Sequence, residues 1–275
     1  MRSRLPTLVG VVALLLGACA GSASPGSGQP VAGAAASGAP HVELTIYGAA
    51  SLQGVLAKVK AVYEAAVPGT GVTISTDSSA ALETKIEQGA PADVFLSADT
   101  ANPQKLVDKG LADGKAVVFA TNRLVVIVPT SNPASITSPA DLAKPGIKVI
   151  AAGDSVPIAK YATQLVANLA KQPGYPADFV ARYTTNIASK EDNAKAEVAK
   201  IELGEGDAAI VYATDARAST RVATIAVPDA ANVPARYAGV VVRRPADAAA
   251  AAFLAWFAGP DGQAILGSFG FLPPS

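Results

Sequence analysis

From His41 onward the chain alternates short apolar runs with amphipathic segments, the pattern of an α/β protein whose helices pack on sheets. The apolar runs predict strands at 42–47, 72–76, 94–96, 124–128, 148–151, 208–212 and 237–242. Between the first two, Leu52, Val55, Leu56, Val59 and Tyr63 recur at the spacing of one helical face, with Ser51 at the expected N-cap. The same strand-to-helix design returns at "ISTDSSAALETKIEQGAPADVFLSAD". There Ser78 and Ser79 follow a strand, and a helix bearing Leu82 and Ile86 stops at Gly89. It returns again at "IKVIAAGDSVPIAKYATQLV", where Pro157 suits a first helical turn.

Three such turns built from small or hydroxyl residues have a chemical meaning. The first turn of a helix leaves up to four N–H groups without intrahelical partners, and the peptide dipoles make that end positive. Small residues let a ligand approach those groups, and a serine adds a donor, so an anion can be held without any cation. Serine is also an ordinary N-cap, so one such turn carries little weight. Three whose strand ends converge on one crevice point to a site.

The start of the chain reads differently. Arg2 and Arg4 precede a short apolar run and the small-residue segment "LGACA", which predicts a secretory signal over 1–18. Cys19 is the only cysteine of the 275 residues, so an intramolecular disulfide is excluded. "LGAC" resembles the lipobox of bacterial lipoproteins and implies a lipidated Cys19. A chance cysteine beside an ordinary cleavage site is the alternative. The segment 20–40 has no charged residue and consists mostly of Gly, Ala, Ser and Pro, so 19–40 reads as an anchored flexible tether. Without Arg2 and Arg4, 20 basic residues remain against 22 acidic ones, a net charge of −2 that argues against a nucleic-acid partner.

Other chemistries lack parts. His41 is the sole histidine, and no Gly-x-Ser-x-Gly elbow occurs, so a serine hydrolase would need a Ser-Lys pairing with Lys160 or Lys190. No metal-ligand spacing is evident, and the carboxylates of "EDNAKAE" suit a helix start without a metal. Arg123, Arg182 and Arg217 lie outside the three turns, which disfavours a carboxylated organic anion held by an arginine fork. Trp256 and Phe257 read as core of C-terminal helices rather than as a ligand box.

The segments "YGAASL", "SSAALETKIEQGAPADVFLSAD", "GDSVPIAKYA" and "AAIVYATDA" together resemble the molybdate-binding proteins of ABC transporters, from about 44 to 272. The resemblance implies a type II periplasmic-binding-protein fold: two α/β lobes, each a mixed sheet flanked by helices, joined by two hinge crossings. These would fall near Asn122 and Thr220, giving lobe one as 42–122 with 221–275 and lobe two as 123–220. It implies molybdate ligands at Ser51, Ser79, Ile158, Asn193 and Tyr212, with Ala50 and Ser78 as possible additions. Ile158 stands where a smaller residue is usual, and Asp77 would repel an anion if it pointed inward. The resemblance further implies a monomeric, non-enzymatic receptor without a cofactor, lipid-anchored outside the cell membrane, that delivers molybdate or tungstate to an ABC permease. The same fold binding sulfate or another small oxyanion is the alternative.

Overall fold

The computed structural model describes residues 41–244 and 248–275, so the expectations for the signal, Cys19 and the tether lie outside the described residues. Among the described residues, ten strands form two five-stranded sheets.

The first sheet contains β1 (Val42–Ala49), β2 (Thr70–Asp77), β3 (Val94–Ser97), β4 (Ala112–Asn122) and β10 (Ala235–Val242), in the order β2-β1-β3-β10-β4. β1 runs parallel to β2 and β3, and β10 runs antiparallel to β3 and β4. The second sheet contains β5 (Leu124–Pro129), β6 (Val149–Ala152), β7 (Ile187–Glu191), β8 (Ala208–Tyr212) and β9 (Val222–Ile225), in the order β7-β6-β8-β5-β9. Here too three parallel strands are followed by an antiparallel pair. The sheets thus repeat one plan, and in each the parallel strands end in helix N-termini.

Nine helices are described: α1 (Gln53–Ala66), α2 (Ser79–Glu87), α3 (Ala101–Asp108), α4 (Pro157–Leu169), α5 (Phe179–Thr185), α6 (Ala194–Glu202), α7 (Ala213–Arg217), α8 (Ala248–Ala258) and α9 (Pro260–Ser268). On α1 the predicted face is the buried one, since Val55, Leu56, Val59 and Tyr63 all lie in the core. Tyr63 meets the Phe253 and Trp256 rings of α8 edge-on at 4.9 and 5.0 Å, so the C-terminal aromatics are core, as their pattern predicts. α2 ends before Gly89, whose φ of +89° is the left-handed conformation that a residue with a Cβ resists. Pro157 is the first residue of α4.

Three observations depart from the sequence reading. β4, β7 and β9 were not among the predicted strands. β7 and β9 are short edge strands with half-exposed residues, and β4 opens on Asp113, Gly114 and Lys115, which weaken an apolar signal. Because β9 pairs with β5, the chain stays in the second sheet past Thr220. It returns to the first only between Ile225 and Ala235, and the other passage between the sheets is at Arg123, between β4 and β5. Asn232 ties the crossings together: its Oδ1 accepts from Leu124 N at 3.1 Å and its Nδ2 donates to Leu124 O at 2.8 Å. Finally, Ser51 does not cap α1. It sits inside a single 3₁₀ turn, Ala50–Leu52, that precedes the helix and frees its hydroxyl for another partner.

Candidate functional site

The carboxyl ends of the parallel strands of both sheets meet at one small cavity. From the first sheet come Ala49 at the end of β1 with Ala50 and Ser51 after it, Ser78 and Ser79 after β2, and Ala98 after β3. From the second come Val156, Pro157 and Ile158 at the start of α4, Asn193 and Ala194 at the start of α6, and Tyr212 at the end of β8. All seven residues singled out from the sequence are therefore brought together: Ser51, Ser79, Ile158, Asn193 and Tyr212, with Ala50 and Ser78. Ala49, Ala98, Val156, Pro157 and Ala194 also line the cavity and were not among the site residues named from the sequence. The third parallel strand, "VFLSAD", ended in the same small-residue signal that marked the other turns.

The walls carry hydrogen-bond donors and no charged side chain. Asp77, next in the chain, is turned away: its Oδ1 accepts from Ser78 N at 2.8 Å and its Oδ2 from Lys85 Nζ at 2.9 Å. Ile158 occupies the first turn of α4, where backbone N–H groups have no intrahelical acceptor. A bulky side chain does not alter that donor, and this one is buried in the core behind it. Asn193 caps α6 with its side chain, Oδ1 accepting from Ala196 N at 3.0 Å, so what it can offer a ligand is its backbone N–H.

The Ser79 and Tyr212 hydroxyls are set up in the same sense. Ser79 Oγ accepts the backbone N–H of Ala98 at 3.0 Å, leaving its own hydrogen for the cavity. Ser51 Oγ lies 2.9 Å from the Tyr237 hydroxyl of β10, a buried contact between residues far apart in sequence. The Tyr212 hydroxyl is buried with no hydrogen-bond partner among the described residues. Burial raises its pKa well above the usual tyrosine value, so it remains a neutral donor. A buried hydroxyl without a partner costs about 1–3 kcal/mol. At the wall of a donor-lined cavity, that cost has an evident use.

The cavity measures about 10 Å³, room for about one water-sized group. A compact tetrahedral anion fits between these walls only if they ease outward, and a larger organic ligand does not fit.

Residues 44–272 match the family model described as bacterial extracellular solute-binding protein. The chain belongs to the bacterial extracellular solute-binding proteins.

Within this family it is similar to the molybdate-binding protein ModA of Mycobacterium bovis, at 33% identity over 96% of this chain and 97% of that one. Among solved structures, the Azotobacter vinelandii periplasmic molybdate-binding protein shares its fold, with a TM-score of 0.71 at 24% identity over 84% of this chain and 100% of the other. So does the sulfate-binding protein SubI of Mycobacterium tuberculosis, with a TM-score of 0.75 at 23% identity over 85% of this chain and 87% of that one. The solute-binding family works outside the cytoplasm.

Proposed function

We propose that this solute-binding protein captures molybdate, and tungstate with it, and delivers the anion to an ABC permease. The observation that carries the reading is a cavity lined by serine hydroxyls and helix N-termini with no charged side chain, the unpartnered Tyr212 among its lining residues. Molybdate and tungstate are dianions without a proton at neutral pH, so every oxygen accepts, and a site made only of donors complements them. The relative named for molybdate, at 33% identity over nearly the whole chain, supports the same choice.

Ser51 and Ser79 donate from the first lobe, while Ile158, Asn193 and Tyr212 donate from the second. Only the closed arrangement completes the set, so ligand stabilises closure about the crossings at Arg123 and after Ile225. The permease reads the closed form and hydrolysis of ATP belongs to the transporter. Cys19 carries the lipid that holds the receptor at the outer face of the membrane, with 20–40 as its tether. Each charge-assisted hydrogen bond contributes about 1.5–3 kcal/mol, so five to seven donors are enough for about micromolar or tighter binding after association costs.

Sulfate is the second reading. It is also free of protons and is smaller, which suits so small a cavity, and the likeness to the sulfate-binding SubI fold keeps it in view.

Thermal unfolding in molybdate, tungstate, sulfate and phosphate at equal ionic strength separates the readings. At about a hundred times its Kd a ligand adds about 2.7 kcal/mol, a rise of roughly 5–10 °C for a chain of this size. A rise with molybdate and tungstate alone supports the proposal. A rise with sulfate alone replaces it with the second reading, and no rise with any of the four rejects both.

A further inference from the structure

The second lobe holds another cavity, bounded by α4, α5, β6 and β7, that shares no lining residue with the anion cavity. It measures about 180 Å³, room for several water-sized groups. Alanines open it: Ala159 and Ala162 from α4, Ala151 and Ala152 from β6. Thr163, Val180 and Thr184 line it where the chain is exposed, which gives it a mouth. Glu197 of α6 also lines it, and that residue is only 2% exposed. Its Oε2 has no hydrogen-bond partner among the described residues. Burial, with Asp215 and Glu191 nearby, raises the Glu197 pKa well above the ordinary value, as expected of a carboxyl with no cation beside it. The threonines at the mouth turn their hydrogens to their own helices: Thr163 Oγ1 donates to Ala159 O and Thr184 Oγ1 to Val180 O, each over 2.8 Å. Each hydroxyl therefore keeps lone pairs for the cavity. Lys190, the cation among the lining residues, already donates to Asp154 Oδ1 at 2.6 Å.

We propose that this cavity is a second ligand site, which takes a small primary ammonium with a short aliphatic chain, its charged head at Glu197 and its chain along Val166, Ile187 and Ile210. The inference goes beyond the anion reading and does not rest on it. An ammonium has three N–H donors and no acceptor, so it complements a wall of lone pairs and a buried carboxyl without a partner. The aliphatic chain covers the apolar part of the wall, the usual division of labour in a small-molecule pocket. A carboxylated ligand would face Glu197 and Asp154 as like charges. A bare metal ion lacks ligands here, since no cluster of three or more His, Cys, Asp or Glu side chains that could hold one occurs among the described residues.

Calorimetric titration of the full protein with n-butylammonium chloride at constant ionic strength tests the site. One saturable site per chain is expected, with a Kd of about a millimolar or tighter, within reach of so small a ligand. n-Butanol, which has the same chain without the charge, binds at least about tenfold more weakly. Glu197→Gln keeps the shape of the side chain and removes its charge, and it weakens n-butylammonium by about tenfold or more. Ala162→Leu fills the cavity from α4 and abolishes binding with every charge in place, which keeps the test open if the Glu197 variant does not fold. The absence of saturable binding to the unsubstituted protein would overturn the proposal. So would n-butanol binding as tightly as the ammonium, or ammonium binding that survives Ala162→Leu. The two sites are separable in the same samples: a protein that binds n-butylammonium but no molybdate loses the anion reading alone, and one that binds molybdate but no ammonium loses this inference alone.

Discussion

Ala98, just past β3, donates its backbone N–H to Ser79 Oγ at the first turn of α2, over 3.0 Å. One bond thereby joins two of the strand-to-helix turns that frame the cavity and turns the serine hydrogen inward. Ser79→Ala removes both effects. Molybdate affinity is expected to fall about 10- to 150-fold, the loss of one charge-assisted bond. The free protein loses about 1 kcal/mol or more because a buried N–H is left without an acceptor. Calorimetric titration and thermal unfolding of the variant measure the two separately.

Tyr212→Phe should push stability and affinity in opposite directions. Its hydroxyl is buried without a partner in the free protein, so removing it relieves a desolvation cost and raises stability by about 1 kcal/mol. The same change deletes a donor and weakens molybdate by about tenfold or more. Unfolding without ligand, followed by titration, checks both signs.

Gly48 lies in β1 directly under α1. A Cβ there would stand 2.3 Å from Leu56 Cδ1, a side chain that is itself fully buried. Gly48→Ala must therefore displace Leu56 and lift the first turn of α1, at a cost of about 1–3 kcal/mol. A lowering of Tm by about 2–4 °C per kcal/mol is expected for a chain of this size, and an unchanged Tm would show that Leu56 has room to repack.

Asp215, one residue into the buried face of α7, has its carboxyl pushed from an ordinary value of 3.8 up to about 6 by burial, with Lys195 Nζ 3.6 Å away pulling the other way. Its folded pKa exceeds its unfolded one, so the native state holds the proton more tightly. The resulting stabilisation is complete below about pH 3.8 and is lost as pH rises through about 6. Glu197, buried beside it, is raised well above its ordinary value and acts with the same sign. Glu64, Glu87 and Asp141 are shifted down, and their contribution falls away only in the more acidic range. The protein is thus expected to be less stable near pH 7.5 than near pH 5. Asp215→Asn should shrink that difference by about 1.4 kcal/mol, since only about one pH unit separates pH 5 from the folded pKa of about 6, read as the gap between Tm values at the two pH values. An unchanged gap would remove Asp215 as its source.

The cavity was legible because its chemistry is local. Ser51, Ser79 and Pro157-Ile158 each sit where a strand ends and a helix begins, and small or hydroxyl residues at such points show in one short window of sequence. The family resemblance named all five ligand positions, and for Asn193 and Tyr212 it was the only signal; the structure lines the same cavity with them. What escaped depends on contacts distant in sequence. The bond from Tyr237 to Ser51 joins positions 186 residues apart, and nothing around Tyr237 distinguishes it from an ordinary core aromatic. β9 is four residues long and only half-buried, and its pairing with β5 moves the second crossing beyond Thr220. Edge strands carry a weak apolar signal because one side of their ladder faces away from the sheet.

The most direct test of the central claim is isothermal titration of the unsubstituted protein with molybdate near neutral pH. The account predicts one anion bound per chain with a Kd of about micromolar or tighter, displaced by tungstate and unaffected by an excess of phosphate. The absence of binding, or molybdate displaced equally by phosphate, would contradict a site made only of donors.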